Sequence, residues 1–259
     1  MARDQNIQKL KPHGPPVCTE RRHWRNWCAN RPGQWLLETE RHELEEILPN
    51  LFGYHLLQVG CLSGEDMLGC SRVLHRVVVD IDADEVTDVF GLYGRPDALP
   101  IDTDSVDVVL LPHTLEFEND PHQVLREVER VLVPEGHVVI LGFNPWSIWG
   151  LWWNLRLRRG GPPWCGRFRG AIRIKDWLAL LGFDTVVSQG YFFRPPFPHA
   201  GIMKRLGFME RMGRRWWPFM GGAYLLVAKK RVATLTPIKP RWRPRRSLVS
   251  ANLTRPTLQ

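Results

Sequence analysis

Short apolar runs alternate with amphipathic stretches through the middle of the chain, and this alternation constrains the fold more than any other feature. The apolar runs are continuous, as expected for strands that are buried on both faces of a sheet. Strand, helix and strand in succession form a βαβ unit, which implies a parallel sheet. The predicted strands are residues 55–60, 75–82, 105–114 and 137–143, and the predicted helices between them are residues 65–76 and 119–137.

The helix over residues 119–137 has the clearest signals for its start and its buried face. Asp120 is a good N-cap residue, and Pro121 stands at the first helical position, where a missing N–H costs nothing. One apolar face is predicted to pack on the sheet, formed by Val124, Leu125, Val128, Val131 and Leu132.

The remaining elements predict an α/β fold, a three-layer open sheet of about seven strands. Residues 33–48 and 173–182 have helical spacing, a further helix is expected around residues 203–212, and residues 185–193 and 221–231 are two more strands. The predicted organisation is a polar, basic N-terminal extension (1–30), a main domain (31–233) with an insert at about 146–170, and a disordered basic tail (234–259).

Net charge indicates the class of partner, and cysteine content indicates the cellular compartment. The chain has 259 residues and a formal net charge of +8, which favours acidic partners such as nucleic acid or anionic lipid. Five cysteines without a C-x-x-C pair, and an N-terminus without an apolar run, indicate a reducing cytoplasm. No complete set of metal ligands is evident, so no metal site is expected.

Candidate binding residues follow the first two strands, where an open parallel sheet binds its ligands. Gly60 and Gly64 flank the turn after the first strand, and glycine lets the backbone approach a ligand closely. Asp80 and Asp82 follow the second strand, where a carboxylate can accept hydrogen bonds from a ribose. A plain structural turn and solvated or turn-capping aspartates are the alternatives.

The segment DALPIDTDSVDVVLLPHTLEFENDPHQVLREVERVLVPEGHVVILGFNP, residues 97–145, resembles the core of class I S-adenosylmethionine-dependent methyltransferases of the type 11 group. The segment contains the family's elements in the family's order. They are an acidic residue before Leu-Pro, an aspartate at the start of the fourth strand, a helix with L-x-E-x-x-R-V-L-x-P-x-G, and a fifth strand. The stretches FGYHLLQVGCLSGE, GFNPWSIWGL, DWLALLGF and GGAYLLVAKKR resemble the YafS-like bacterial branch, so that the likeness covers about residues 30–240.

The resemblance implies a Rossmann-like fold, S-adenosyl-L-methionine as cofactor, and a role for each strand end. It places Gly60, Cys61 and Gly64 at the methionine part of the cofactor, Asp80 or Asp82 at the ribose, and Asp97 with Ala98 at the adenine; Pro112, which ends the fourth strand, is also assigned to the cofactor site. Leu62 stands where the family has the middle glycine of its cofactor loop. That departure favours, as one alternative, a non-catalytic binding module with the same fold.

His113 and Glu116 are the predicted catalytic residues, since they follow the fourth strand and a hydroxyl acceptor benefits from a general base. The alternatives are that His113 caps the strand end and that Glu116 is solvated.

Tryptophan and arginine are concentrated in the insert. This composition is typical of a helix packed over the sheet edge, of a lid over an apolar substrate, or of an interfacial helix in contact with a membrane. The residues are Trp146, Trp149, Trp152, Trp153 and Trp164 with Arg156, Arg158, Arg159, Arg167 and Arg169.

The predicted function is methyl transfer to a small-molecule or lipid-like acceptor, in the cytoplasm and with possible peripheral membrane contact through the insert. An RNA methyltransferase is the second alternative beside the non-catalytic binding module, because the charge and the basic tail favour nucleic acid.

Overall fold

The chain folds as a single seven-stranded sheet with helices on both faces, seen in a computed structural model that describes residues 17–31, 33–61, 67–81, 90–157, 166–194 and 208–231. The strands are β1 (His55–Val59), β2 (His75–Asp80), β3 (Phe90–Tyr93), β4 (Val106–Pro112), β5 (Leu132–Phe143), β6 (Phe183–Tyr191) and β7 (Ala223–Lys230). The helices are α1 (Val17–Cys28), α2 (Gly33–Ile47), α3 (Thr114–Phe117), α4 (Pro121–Val131), α5 (Ile148–Leu157), α6 (Ala171–Leu180) and α7 (Phe208–Trp216), with 3-10 turns at Leu48–Asn50 and Pro218–Met220.

The strand order is β3-β2-β1-β4-β5-β7-β6. The first five strands are mutually parallel, whereas β7 runs antiparallel to both β5 and β6. The order reverses between β1 and β4, which is where an open sheet of this kind binds its ligand. The predicted three-layer α/β fold of about seven strands is therefore confirmed.

Alternating strand residues face two separate layers of core. On one face Leu56, Val108 and Leu110 pack with residues of α1 and α2, and on the other Leu57 and Val109 pack with residues of α4 and α6. Strands β1 and β4 are consequently apolar on both sides, which explains the continuous apolar runs in the sequence.

Helix α4 begins as its sequence predicts. The Asp120 carboxylate accepts hydrogen bonds from the backbone N–H groups of His122 and Gln123, both at 3.1 Å, and Pro121 is the first helical residue. Helix α6 ends at Leu180, and Gly182 follows with a φ of 83°, a conformation that favours glycine.

The helix predicted between β1 and β2 is wrong over the part of it that the structure describes. Residues 67–74 form turns and bends, and only the side chains of Met67, Leu68 and Val73 are buried there. The Ser71 hydroxyl accepts a hydrogen bond from the Val73 N–H at 3.1 Å, and such local bonds compete with helix formation.

Helix α1 lies within the segment that the sequence predicted to be an N-terminal extension. Its Trp24 and Cys28 side chains are 1% and 2% exposed, and they belong to the same apolar cluster as the sheet residues. The second half of the predicted extension is thus part of the folded domain; residues 1–16 and the predicted tail lie outside the described residues.

Candidate active site at the carboxyl edge of the sheet

The turn after β1 packs closely against residues that follow β4 and against β2. Gly60 has a φ of 88°, and a Cβ at this position would lie 2.8 Å from the Thr114 Oγ1 atom. That hydroxyl donates to the Val59 carbonyl at 2.5 Å, while the Gly60 N–H donates to the Val79 carbonyl at 2.8 Å. Glycine is therefore required here both by the backbone conformation and by the space.

Gln58 joins the two ends of the segment that follows this turn. Its side chain is fully buried, its Nε2 donates to the Gly60 carbonyl at 3.1 Å, and its Oε1 accepts from the Met67 N–H at 3.2 Å. A buried amide with both ends engaged holds residues 60 and 67 at a set separation. The predicted site residue Gly64, and Leu62, lie outside the described residues.

Asp80, the last residue of β2, points its carboxylate at the β1 turn. One carboxylate oxygen accepts a hydrogen bond from the Cys61 N–H at 2.5 Å, and the other accepts from the Ile81 N–H at 2.6 Å. A carboxylate oxygen can accept more than one hydrogen bond. The predicted trio of Gly60, Cys61 and Asp80 thus comes together, whereas Asp82 lies outside the described residues.

Asp97 and Ala98 lie in the turn after β3, which adjoins the end of β2. The Gly94 N–H donates to the Asp80 carbonyl at 3.0 Å, and the Asp97 carboxylate takes a bidentate ion pair from Arg95 with N···O distances of 2.8 and 2.6 Å. The carboxylate next to Arg95 raises the pKa of that guanidinium above its usual range. Asp97 remains partly exposed and Ala98 is exposed, so both are accessible to a ligand.

The end of β4 carries a backbone conformation that is unusual for a side-chain-bearing residue. Pro112 is the last strand residue, and His113 follows with a φ of 54° and a ψ of 12°, in the left-handed region. Such conformations cost free energy and persist where the surroundings hold them in place. At His113 those surroundings are two carboxylates.

His113 lies between two glutamates in the protein interior. Its Nε2 is 2.7 Å from Glu40 Oε1 and its Nδ1 is 2.9 Å from Glu116 Oε2, and all three side chains are less than 5% exposed. Glu40 Oε1 also accepts from the Tyr191 hydroxyl at 3.0 Å, and Glu116 Oε1 accepts from the Phe143 N–H. This network joins α2, the end of β4, the end of β5 and the end of β6.

Burial alone would lower the pKa of His113, but Glu40 and Glu116 outweigh it and raise that pKa from 6.5 to about 10. The imidazole is therefore a cation at neutral pH, and each of its N–H groups donates to a carboxylate. Burial, followed by the charge of Glu40, likewise raises the pKa of the Tyr191 hydroxyl. In this state His113 has no free lone pair with which to accept a proton.

An aromatic shell covers the network. The Trp24 ring lies 5.3 Å from the His113 ring and 5.6 Å from those of Phe117 and Phe143, measured between centroids. Phe143 also stacks on Phe168 at 4.9 Å. Burial beneath this aromatic shell strengthens the ion pairs, because the local dielectric constant in a protein interior is low.

Glu40 is the residue that the sequence prediction of the site missed. It lies four residues after Leu36 and four before Leu44, so it shares the helix face on which both leucines are buried. That spacing could have identified Glu40 from the sequence, because a carboxylate on a buried helix face needs a hydrogen-bonding or charged partner.

Comparison with known proteins agrees with this architecture. The family model described as "Methyltransferase domain" matches residues 57–140, which run from β1 into β5. The uncharacterized protein YafS of Escherichia coli is 34% identical over 194 residues, covering 75% of each chain.

Solved structures share the fold at low sequence identity. An S-adenosylmethionine-dependent methyltransferase and possible histamine N-methyltransferase from Thermotoga maritima superposes with a TM-score of 0.59 at 15% identity, over 81% of this chain and 99% of that one. Geranyl diphosphate C-methyltransferase from Streptomyces coelicolor gives 0.52 at 17% identity, over 85% and 100% of the two chains.

The strand order with its reversed β7, the glycine turn beside Asp80 and these matches define the class: the chain is a class I methyltransferase. Within that class it belongs to the family of YafS, with which it shares a third of its residues over three quarters of both chains.

Gly60→Ala is expected to destabilise the protein by about 1–3 kcal/mol, because alanine would be strained at this φ and would press on Thr114. Urea unfolding of the variant measures the loss. Gly69→Ala is the matched control, since a Cβ there meets nothing within 4 Å. Equal stabilities of the two variants would show that the turn tolerates a side chain at residue 60.

Proposed function

We propose that this chain transfers the methyl group of S-adenosyl-L-methionine to a small-molecule or lipid-like acceptor at the carboxyl edge of its sheet. The observation that carries the proposal is the convergence of the Gly60–Cys61 turn and the Asp80 carboxylate beside the reversal of strand order. When bound, the cofactor supplies a sulfonium with an electrophilic methyl group, so the protein mainly has to position the two reactants.

Three groups of residues would hold the cofactor in this proposal. Asp80 would accept hydrogen bonds from the ribose, for which its carboxylate is held by the Cys61 and Ile81 amides. Asp97 and Ala98 would contact the adenine, and the Gly60–Cys61 turn would lie beside the methionine part.

His113 and Glu116, predicted as catalytic residues, have a different role in this proposal. Both are buried, each has its hydrogen-bonding atoms engaged, and together with Glu40 they tie the turn after β4 to helix α2. We therefore assign them as positioning residues. An acceptor that must lose a proton would find no free base in this pair.

The acceptor class is inferred from the surroundings of the turn. Beside the turn after β4, Trp24 contacts Phe143, and Phe143 stacks on Phe168. These rings favour an acceptor with an apolar or aromatic part. Geranyl diphosphate C-methyltransferase, which has the same fold, was solved with an isoprenoid diphosphate, so the fold is compatible with lipid-like acceptors.

Asp97→Ala is expected to weaken binding of S-adenosylmethionine by about 1–3 kcal/mol, the scale of a hydrogen bond to a charged group. Isothermal titration with S-adenosylmethionine and S-adenosylhomocysteine measures it directly. Stability should change little, because Arg95 is exposed and Asp97 is partly exposed, and ion pairs near the surface contribute little to stability.

Asp102→Ala, a change of an exposed carboxylate in the same loop region, is the control and should leave affinity unchanged. Unchanged affinity in Asp97→Ala would place the adenine elsewhere. If the wild-type chain showed no heat of binding with S-adenosylmethionine, and if the cofactor did not raise its melting temperature, the proposed function would be contradicted. Binding without turnover on any acceptor would favour the non-catalytic binding module.

A further inference from the structure

Helix α5, in the Trp/Arg insert, is apolar on two sides. Its Trp149 is only 4% exposed, and the indole Nε1 donates to the Arg194 carbonyl at 2.6 Å, so this tryptophan packs inward. On the outward side Ile148, Leu151 and Leu155 are exposed at helical spacing, and Trp146 just before the helix is 85% exposed. A helix that is apolar beyond its buried face has an outer face that water solvates poorly.

A second exposed apolar segment includes helix α7, which overlaps the helix predicted around residues 203–212. Phe208, Met212 and Trp216 recur every four residues along α7 and form one exposed stripe. The stripe continues into the 3-10 turn, where Trp217 and Met220 are exposed and Phe219 is 85% exposed.

The two segments are neighbours at the carboxyl end of β5. The Asn144 side-chain amide donates to the Phe219 carbonyl at 2.7 Å and to the Gly221 carbonyl at 3.2 Å, while its Oδ1 accepts from the Trp146 N–H at 3.1 Å. Asn144 thereby holds the turn bearing Trp146 against the turn bearing Phe219. We call the exposed residues of 144–157 and 208–222 the aromatic edge.

The described side chains of the aromatic edge are apolar except for one cation. Of the exposed side chains that the structure describes in the two segments, only Arg215 is polar. Residues 144–157 and 211–222 contain no aspartate or glutamate, but they contain Arg156, Arg211, Arg214 and Arg215. Glu210, the acid that precedes them in α7, is turned inward and accepts from the Phe193 N–H at 3.2 Å.

A lipid surface fits this chemistry better than a protein or RNA. Protein interfaces carry about one hydrogen bond per 100–200 Å², which requires polar side chains that the described part of the edge lacks apart from Arg215. A bilayer interface needs only apolar area, tryptophan at the headgroup level and cations opposite anionic headgroups. Exposed apolar patches of this kind mark interaction sites.

We propose that the aromatic edge docks this protein onto the surface of an anionic bilayer. No helix in the described part of the chain has the length and apolar character to cross a membrane, so contact through this edge would be peripheral. The first residue of the edge is Trp146, which follows the end of β5 by three residues and lies at the same end of the strands as the Gly60 turn and Asp80. A docked molecule would thus present its candidate active site to the lipid surface, from which a lipid-like acceptor could enter.

Vesicle binding of the full chain tests this inference. Wild-type protein should co-sediment with vesicles of phosphatidylcholine containing about one third phosphatidylglycerol, and weakly with phosphatidylcholine alone. The double variant Trp146→Ser/Phe219→Ser should lower the apparent partition coefficient about tenfold. In the wild type, tryptophan emission should shift to the blue and be quenched by brominated lipid.

The matched control is Phe52→Ser/Leu74→Ser. These two residues are also strongly exposed, but they precede β1 and β2 at the opposite end of the strands, and the change should leave vesicle binding intact. Circular dichroism melting establishes that both double variants are folded.

Three results would overturn the docking proposal. The first is that the wild-type protein binds neither kind of vesicle, and the second is that both double variants lose vesicle binding equally. The third is that Trp146→Ser/Phe219→Ser converts a dimer to a monomer, which would make the edge a contact between two copies. RNA binding with a steep salt dependence and no vesicle binding would assign the cations to nucleic acid. None of these results depends on cofactor binding, so failure here leaves the proposed methyl transfer intact.

Discussion

Replacing His113 with leucine is expected to destabilise the protein by about 3–5 kcal/mol, because the change leaves Glu40 and Glu116 buried without their cation. The loss is a large share of the 5–15 kcal/mol that stabilises a typical protein. Urea unfolding monitored by tryptophan fluorescence measures it.

His42→Leu is a closely matched control for that change. Like His113, His42 lies near two glutamates: its ring nitrogens are 3.8 Å from carboxylate oxygens of Glu45 and Glu46. His42 belongs to α2, the helix that carries Glu40. Its side chain is 65% exposed, so its removal should change the free energy of unfolding by less than about 0.5 kcal/mol. If His113→Leu and His42→Leu changed the free energy of unfolding equally, the buried ion pairs of His113 would contribute no more to stability than the exposed ion pairs of His42.

The pH dependence separates a charge effect from a packing effect. The pKa of His113 is raised from 6.5 in the unfolded chain to about 10 in the folded protein, so the folded state retains a proton that the unfolded state loses. The stabilisation is therefore complete below pH 6.5 and is lost as the pH rises toward 10, by on the order of 1 kcal/mol per pH unit. The stability gap between wild type and His113→Leu should narrow over that range, whereas a gap due to packing alone would stay constant.

Trp24→Ala is expected to cost about 3–5 kcal/mol, since the indole is 1% exposed and packs against Trp27, His113 and Phe143. The removed ring would leave a cavity between α1 and the ends of β4 and β5, and the surrounding aromatic rings can fill it only in part. Thermal and urea unfolding give the loss of stability.

Trp146→Ala is the control for the indole itself, because that side chain is 85% exposed and its removal should be nearly neutral for folding. If Trp24→Ala cost no more than Trp146→Ala, helix α1 would not belong to the domain core. The result would then agree with the predicted extension over residues 1–30.

The sequence by itself determined the layered fold and the edge at which the candidate site lies. Strand and helix periods, the Asp120 cap and the glycine after α6 depend on residues that are close along the chain, so they can be recognised without the structure. The meeting of Gly60 with Asp80 also follows, because parallel neighbouring strands end at the same edge. The helix predicted after β1 failed over residues 67–74, where local hydrogen bonds outweigh a weak helical pattern.

Only the tertiary structure decided which polar and aromatic groups meet. Glu40 and His113 are 73 residues apart in the chain, and Glu40 belongs to a helix whose spacing shows one buried face but not what that face contacts. The same is true of the tryptophans: Trp149 is buried against Phe192, whereas Trp146, three residues earlier, faces solvent beside Phe219. A helical period shows which residues share a face, but the neighbour that covers or exposes that face comes from distant parts of the chain. The charge state of His113 and the composition of the aromatic edge are therefore properties of the assembled fold.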